Sequence, residues 1–170
     1  MVFLRWRIAL LEQWFDFMQC EKTQHKTMGP LWVGYEMLKT LIVEDSTIFR
    51  KAFKEALNRT FPSLAIEEAI DGKEALEKVE GLGPHLVFMD IRLPGESGLE
   101  LTRRIKASHP EIVVMILTHY DLLEYREATH DVGGDGFLVK DSFDLSDISA
   151  LIESMISARK HTNSVDEATS

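Results

Sequence analysis

The sequence has little cysteine and little positive charge. Its 170 residues include a single cysteine, Cys20, which excludes an internal disulfide and gives no sign of an oxidising compartment. Lysine and arginine together number 19 against 28 aspartates and glutamates, a formal net charge of −9. This balance argues against a protein whose main task is to grip the phosphate backbone of nucleic acid. We therefore expect no direct contact with nucleic acid.

The sequence also lacks a long uninterrupted apolar run. The most apolar stretch, residues 2–18, is broken by four charged residues, Arg5, Arg7, Glu12 and Asp16. None of its uninterrupted apolar parts is therefore long enough to span a bilayer. A signal peptide fits poorly as well, because Glu12 interrupts the apolar stretch and no small-residue cleavage site follows. We expect a cytoplasmic protein that does not contact a membrane.

A regular alternation of two patterns begins at residue 39. Short apolar runs, which predict buried strands, occupy residues 39–43, 64–70, 85–90, 112–117 and 136–139. Helical patterns follow them at about residues 47–61, 73–80, 97–107, 121–132 and 144–159. Five strand-then-helix units of this kind predict an α/β fold, a doubly wound (βα)5 three-layer sandwich around a five-stranded parallel sheet.

Local signals mark the borders of these elements. Ser46 is suited to cap the first helix, and Gly133-Gly134 is typical of a helix stop. The apolar stripe predicted for the first helix consists of Ile48, Phe49, Ala52, Phe53, Ala56 and Leu57. Residues 161–170 form a polar C-terminal tail, which we expect to be frayed.

Polar side chains follow the predicted strands. Glu44 and Asp45 follow the first strand, Asp90 ends the third, Thr118 follows the fourth and Lys140 follows the fifth. Because the carboxyl ends of parallel strands meet at one edge of a sheet, we expect these five side chains to converge there.

Three converging carboxylates repel one another and need a cation. Hard oxygen ligands favour Mg²⁺, which keeps several waters and takes only one or two carboxylates directly. An aspartate in such a site can act as a nucleophile and form an aspartyl phosphate. Phosphoryl transfer asks mainly for positioning and charge neutralisation, which Mg²⁺, an ammonium group and a hydroxyl supply. The pattern therefore predicts that Asp90 accepts a phosphoryl group.

Four segments of the chain resemble the receiver domain of two-component response regulators: VED (43–45), MDIRLPGESG (89–98), LTHYD (117–121) and GFLVKD (136–141). The resemblance extends over residues 37–160. It implies the flavodoxin-like strand order 2-1-3-4-5.

The resemblance also implies a role for each site residue. Asp90 is the implied phosphoacceptor, and Thr118 and Lys140 are implied to contact the phosphoryl group. Phe137 falls at the position of an aromatic switch, where it lacks the hydroxyl of a tyrosine and can act through packing only. The implied metal ligands are Glu44, Asp45, Asp90 and the backbone carbonyl of Arg92.

Other positions near the site match or depart from the family pattern. Pro94 and Gly98 match a proline and a glycine that follow the family's phosphoacceptor. Arg92 and Tyr120 flank the site at positions that tune phosphate lifetime in this family. His119 stands where the family often has a small residue, and its imidazole could narrow access to the phosphoryl group.

The resemblance implies a single-domain response regulator that signals through a changed protein surface. Its partners would be a sensor histidine kinase or phosphotransfer protein and a downstream protein target, and homodimers occur in the family. It is not expected to be an enzyme beyond its own phosphorylation and dephosphorylation. Two alternatives stay open: a receiver-like interaction module that is never phosphorylated, and a receiver fragment of a longer regulator.

Residues 1–36 form an N-terminal extension whose role the sequence leaves open. The extension is rich in large aromatic residues, Trp6, Trp14, Phe15, Phe17 and Trp32. It could be a helix that docks on a partner or on its own receiver. It could equally result from a mis-chosen start codon, because Met37 begins a natural receiver start.

Overall fold

The computed structural model describes residues 37–142 and 144–166, and these contain five parallel strands and five helices. The strands are β1 (Leu38–Val43), β2 (Leu64–Ala69), β3 (Leu86–Asp90), β4 (Val113–Thr118) and β5 (Gly136–Val139). The helices are α1 (Thr47–Thr60), α2 (Gly72–Leu82), α3 (Gly98–Ser108), α4 (Leu123–Asp131) and α5 (Ser146–Asp166). The spatial order of the strands is β2-β1-β3-β4-β5. The predicted fold class and strand order are confirmed.

The sheet separates two apolar cores, because successive side chains of a strand point to opposite faces. In β3, Leu86 and Phe88 belong to one core, whereas Val87 and Met89 belong to the other. The first core also contains residues of α1 and α5, among them Phe53, Leu57, Ile148 and Ile152. The second contains residues of α2 and α3, among them Ala75, Val79, Leu101 and Ile105. Burial on both faces explains why the inner strands β3 and β4 are almost continuously apolar, whereas the edge strand β2 carries Glu67 and Glu68.

The predicted borders agree with the observed ones to within two residues, except at the last helix. The Ser46 side chain accepts a hydrogen bond from the Phe49 N–H and so caps α1 as predicted. Gly133, with a φ of 80°, follows the end of α4 in the left-handed conformation that favours glycine. Helix α5 continues to Asp166, beyond its predicted end at residue 159, because neither glycine nor proline occurs after Gly136 to stop it.

The predicted apolar stripe of α1 is partly wrong. Ile48 is 85% exposed and Ala52 is exposed too, whereas the charged residue Arg50 is buried together with Phe53 and Leu57. Positions three and seven residues apart lie on one face of a helix, so this buried face starts with the arginine. The buried face of α1 therefore includes a charged residue, Arg50, which a search for apolar residues at helical spacing does not find.

The N-terminal extension of residues 1–36 lies outside the described residues. Within the part of the chain that the structure describes, no helix has both the length and the apolar character that crossing a membrane requires.

Candidate functional site

The carboxyl ends of β1, β3, β4 and β5 bring the five predicted polar side chains to one edge of the sheet. Glu44, Asp45 and Asp90 each place one carboxylate oxygen within 4.8 Å of the others. The Lys140 Nζ lies 3.1 Å from Asp90 Oδ1 and forms a second ion pair with Glu44 Oε2. Thr118 ends β4, beside β3 and one residue beyond the Leu117 partner of Asp90.

The ammonium group of Lys140 is buried between two carboxylates. Its side chain is 2% exposed, so the ion pairs with Glu44 and Asp90 must offset the cost of burying its charge. The same Nζ lies 4.8 Å from the ring centroid of Phe49, which closes the site toward α1. An ammonium group held by these ion pairs can shift toward additional negative charge on Asp90.

Burial raises the pKa of Glu44 above its ordinary value, and the negative charge of Asp90 adds to this increase. The hydrogen bond from Lys140 opposes both effects but does not reverse the direction. Among the described residues at this edge, three carboxylates meet one ammonium group, that of Lys140, and this excess of negative charge favours a bound cation.

Glu44 and Asp45 present their carboxylates differently. Glu44 Oε1 accepts a hydrogen bond of 3.1 Å from the Ser46 N–H, and its Oε2 accepts one from Lys140. Asp45 is exposed, and its carboxylate makes no hydrogen bond or ion pair with the described residues. Two close carboxylates, one of them free, fit the small number that Mg²⁺ takes directly. Asp45 and Asp90 are the residues best placed to hold such an ion, with Glu44 behind them.

Thr118 is buried, and its hydroxyl oxygen accepts a hydrogen bond of 3.2 Å from the Tyr120 N–H. The bond ties the hydroxyl to the loop that leads into α4. Any movement of the Thr118 hydroxyl therefore passes directly to the backbone of that loop.

The loop after Asp90 folds back onto the backbone of Asp90 itself. The Gly98 N–H donates to the Ile91 carbonyl at 2.9 Å, and Arg92 pairs with Ser97 in an isolated bridge. A Cβ atom at position 98 would lie 1.8 Å from the Asp90 carbonyl oxygen. Only glycine permits this approach, which fixes the backbone of Asp90 against the start of α3.

The flanking residues named in the sequence analysis make their own contacts at the surface. The guanidinium carbon of Arg92 lies 4.8 Å from the ring centroid of Tyr120. His119 Nδ1 lies 3.1 Å from the Asp141 carboxylate, and both side chains are exposed. These two pairs lie beside Thr118 and Lys140 in the chain and border the site.

Phe137 is partly buried against the second core and is covered by an arginine. The guanidinium carbon of Arg126 lies 4.8 Å from the Phe137 ring centroid. Arg126 Nε also donates to Asp121 Oδ1 at 2.7 Å. The predicted switch residue is thus in contact with α4 and, through Arg126, with the loop that follows Thr118.

Sequence reasoning missed Arg50. Its Nη1 donates to the carbonyl oxygens of Glu44 at 2.6 Å and Asp45 at 3.3 Å. The available signal was its spacing, because Arg50 lies in line with Phe53 and Leu57 on the buried face of α1.

Comparisons with known proteins agree on one family. A family model described as the response regulator receiver domain matches residues 40–153. The chain is 36% identical over 115 residues to oxygen regulatory protein NreC of Staphylococcus carnosus, which covers 67% of this chain and 53% of that protein. It is 29% identical over 123 residues to transcriptional regulatory protein DegU of Brevibacillus brevis, covering 72% of this chain and 50% of that protein.

A solved structure gives the same result for the fold. The response regulator receiver domain protein (CheY-like) of Methanospirillum hungatei superposes with a TM-score of 0.64 at 25% identity. The match covers 75% of this chain and 99% of that one. The chain spans about half the length of the curated relatives named above.

Proposed function

Since this chain belongs to the response regulator receiver domain family, we propose that Asp90 accepts a phosphoryl group from a phosphohistidine of a sensor histidine kinase or phosphotransfer protein. One observation carries the proposal. The Asp90 carboxylate lies at the edge of the sheet, 3.1 Å from the Lys140 ammonium and within 4.8 Å of oxygens of Glu44 and Asp45. This arrangement supports both the attack by Asp90 and the neutralisation of the charge that it brings in.

In the proposed step, a carboxylate oxygen of Asp90 attacks the phosphorus atom and a P–O bond forms. The P–N bond to the donor imidazole breaks, and the nitrogen keeps the electron pair and takes up a proton. Mg²⁺, when bound by Asp45 and Asp90 with the Arg92 carbonyl, supplies charge neutralisation at the phosphoryl oxygens. Lys140 neutralises further charge, and Thr118 supplies a hydroxyl that can donate to a phosphoryl oxygen.

The aspartyl phosphate shifts the population of a bistable surface. When the Thr118 side chain moves toward the phosphoryl group, its hydroxyl oxygen leaves the Tyr120 N–H and the following loop can move. Asp121 lies in that loop and holds Arg126, which covers the Phe137 ring. The surface formed by α4, β5 and α5 then changes and signals to a downstream protein.

The expectations about the whole protein stay predictions. Relatives about twice as long include a transcriptional regulatory protein, so neither the single-domain state nor the lack of nucleic-acid contact is settled by this chain. We propose a cytoplasmic location and no catalysis beyond the chemistry of the protein's own phosphoryl group.

The test is intact-mass spectrometry of the full chain after incubation with Mg²⁺ and a small-molecule phosphodonor. We expect one phosphoryl adduct in the parent protein, none in Asp90→Asn, and the parent result in Asp131→Asn, which changes an exposed aspartate on α4. An adduct that survives Asp90→Asn means that another residue is the acceptor. A folded, Mg²⁺-binding parent without an adduct favours the unphosphorylated interaction module.

A further inference from the structure

A buried arginine holds the backbone of the acidic turn at the candidate site. Arg50 is 8% exposed, and its Nη1 donates to the backbone carbonyls of Glu44 and Asp45, the two residues that follow β1. A buried guanidinium needs acceptors, since burial of an unpaired charge is costly. Two of its acceptors are thus the peptide groups that carry the carboxylates of the site.

The other side of the guanidinium is anchored on a neighbouring strand. Arg50 Nε donates to Glu68 Oε2 of β2 at 3.0 Å, and the Lys54 Nζ lies 2.6 Å from Glu68 Oε1. The hydrogen bond from Lys54, with a smaller contribution from Arg50, lowers the pKa of Glu68. Glu68 therefore remains an anion that can hold Arg50 in place at neutral pH.

Asp45 depends on its backbone for its direction. Its carboxylate makes no hydrogen bond or ion pair with the described residues, whereas the Glu44 carboxylate is held by the Ser46 N–H and by Lys140. Because no contact with the described residues fixes the Asp45 side chain, the backbone of the turn determines which positions its oxygens can reach relative to Asp90. Arg50 donates to the carbonyl oxygens of Glu44 and Asp45, which belong to the peptide groups on either side of the Asp45 Cα atom.

We propose that Arg50 is a positioning residue for Mg²⁺, which holds the Glu44–Asp45 turn so that the Asp45 and Asp90 carboxylates take the ion together. The inference rests on the proposed function, because it assigns the ion to that site. Partners that orient metal ligands typically contribute about 10- to 100-fold to metal affinity.

Charge alone predicts the opposite effect, which makes the proposal testable. Arg50 is a cation close to the metal site, so its removal would tighten Mg²⁺ binding if only electrostatic repulsion mattered. Loss of positioning weakens binding instead. Lys54 offers a matched control, since it is also a cation paired with Glu68 but contacts neither carbonyl.

The experiment measures the Mg²⁺ dissociation constant of the full chain by isothermal titration calorimetry. We expect Arg50→Met and the charge-conserving Arg50→Lys each to raise the constant about tenfold. Lys54→Met should leave it within about twofold or lower it, as loss of a nearby cation predicts. An unchanged or lower constant in both Arg50 variants overturns the proposal, and so does an equal rise in Lys54→Met.

The unsubstituted protein gives a second measurement that does not depend on the folding of a variant. In a Mg²⁺ titration followed by NMR, the Arg50 Nε resonance should shift with the same midpoint as the backbone amides of Asp45 and Asp90. An Nε resonance that does not respond overturns the proposal. Mg²⁺ that binds but leaves the amides of Asp45 and Asp90 unmoved places the ion elsewhere, which contradicts the proposed function's metal site and this inference together.

Discussion

Because position 98 is a glycine, α3 can begin directly against the backbone of Asp90. A Cβ atom there would lie 1.8 Å from the Asp90 carbonyl oxygen and 3.0 Å from the Met89 side chain. The first of these contacts is with backbone, which cannot turn aside as a flexible side chain can. The residue type at position 98 therefore affects both the stability of the fold and the placement of Asp90.

We expect Gly98→Ala to lower the free energy of unfolding by about 3 kcal/mol, the upper part of the usual range for overpacking. Gly81→Ala is the matched control, because an added Cβ meets nothing within 4 Å in the exposed last turn of α2. That substitution should raise stability by about 0.5–1 kcal/mol. Urea unfolding followed by circular dichroism measures both changes. Equal effects of the two substitutions on the free energy of unfolding would show that the contact with the Asp90 backbone does not cause a loss of stability.

At the scale of the elements, the packing of α2 against α3 includes a titratable link. His109 follows the end of α3, and its Nε2 lies 3.1 Å from Glu80 Oε1 on α2. Its Nδ1 lies 3.6 Å from Glu111 Oε1. The hydrogen bond to Glu80 is the main reason that the pKa of His109 is raised above its ordinary value.

Because the pKa of His109 is raised in the folded state, its link to Glu80 stabilises the protein more at low pH than at high pH. A histidine whose pKa is raised in the folded state stabilises the protein below its unfolded-state pKa of about 6.5. This stabilisation is lost as the pH rises through the folded-state pKa. We expect the stability difference between the parent and His109→Gln to be larger at about pH 6, below the unfolded pKa of histidine, than at about pH 9. Urea unfolding at both values tests this expectation.

Glu80→Gln gives the complementary measurement. It should bring the His109 pKa, followed by NMR, back toward the ordinary value. A His109 pKa that does not change would mean that Glu80 is not its main partner.

At the scale of the whole molecule, the candidate site joins the ends of four strands. Glu44 and Asp45 follow β1, Asp90 ends β3, Thr118 ends β4 and Lys140 follows β5, so these strand ends meet where the negative charge collects. A cation taken by Asp45 and Asp90 would stabilise the folded state, because the pairing of β1 with β3 brings the two carboxylates together.

Mg²⁺ at one hundred times its dissociation constant should raise the free energy of unfolding by about 2.7 kcal/mol. Asp45→Asn should lose most of this increase, because Asp45 carries the free carboxylate of the site. Asp131→Asn should keep the full increase. Thermal unfolding of the full chain with Mg²⁺ and with a chelator measures the effect. Identical midpoints in the parent protein under both conditions would contradict a magnesium site in the folded state.

Much of the fold and the site could be predicted from local patterns. The apolar runs predict the strands because a sheet covered on both faces buries most residues of its inner strands. Asp90, Thr118 and Lys140 could be placed together because the carboxyl ends of parallel strands share one edge. Neither inference depends on how individual side chains pack.

Other features depend on neighbours that are distant in the sequence. The apolar pattern predicted a buried Ile48, but this residue is exposed and Arg50 is buried, because Glu68 and the carbonyls of Glu44 and Asp45 provide acceptors for a cation. A helical pattern shows which residues share a face, but it does not show which face packs against groups that accept hydrogen bonds from a buried cation.

The α/β fold class, the element order and the polar groups at the strand ends therefore follow from the sequence alone. The packed chain was needed to show that Lys140 is shared between Glu44 and Asp90, that Arg126 covers Phe137 and that Gly98 meets the Asp90 backbone. The two sets of features depend on interactions of different range. Periodicity and turn signals act between residues a few positions apart, whereas ion pairing and close contact require distances that exist only after the strands and helices have packed.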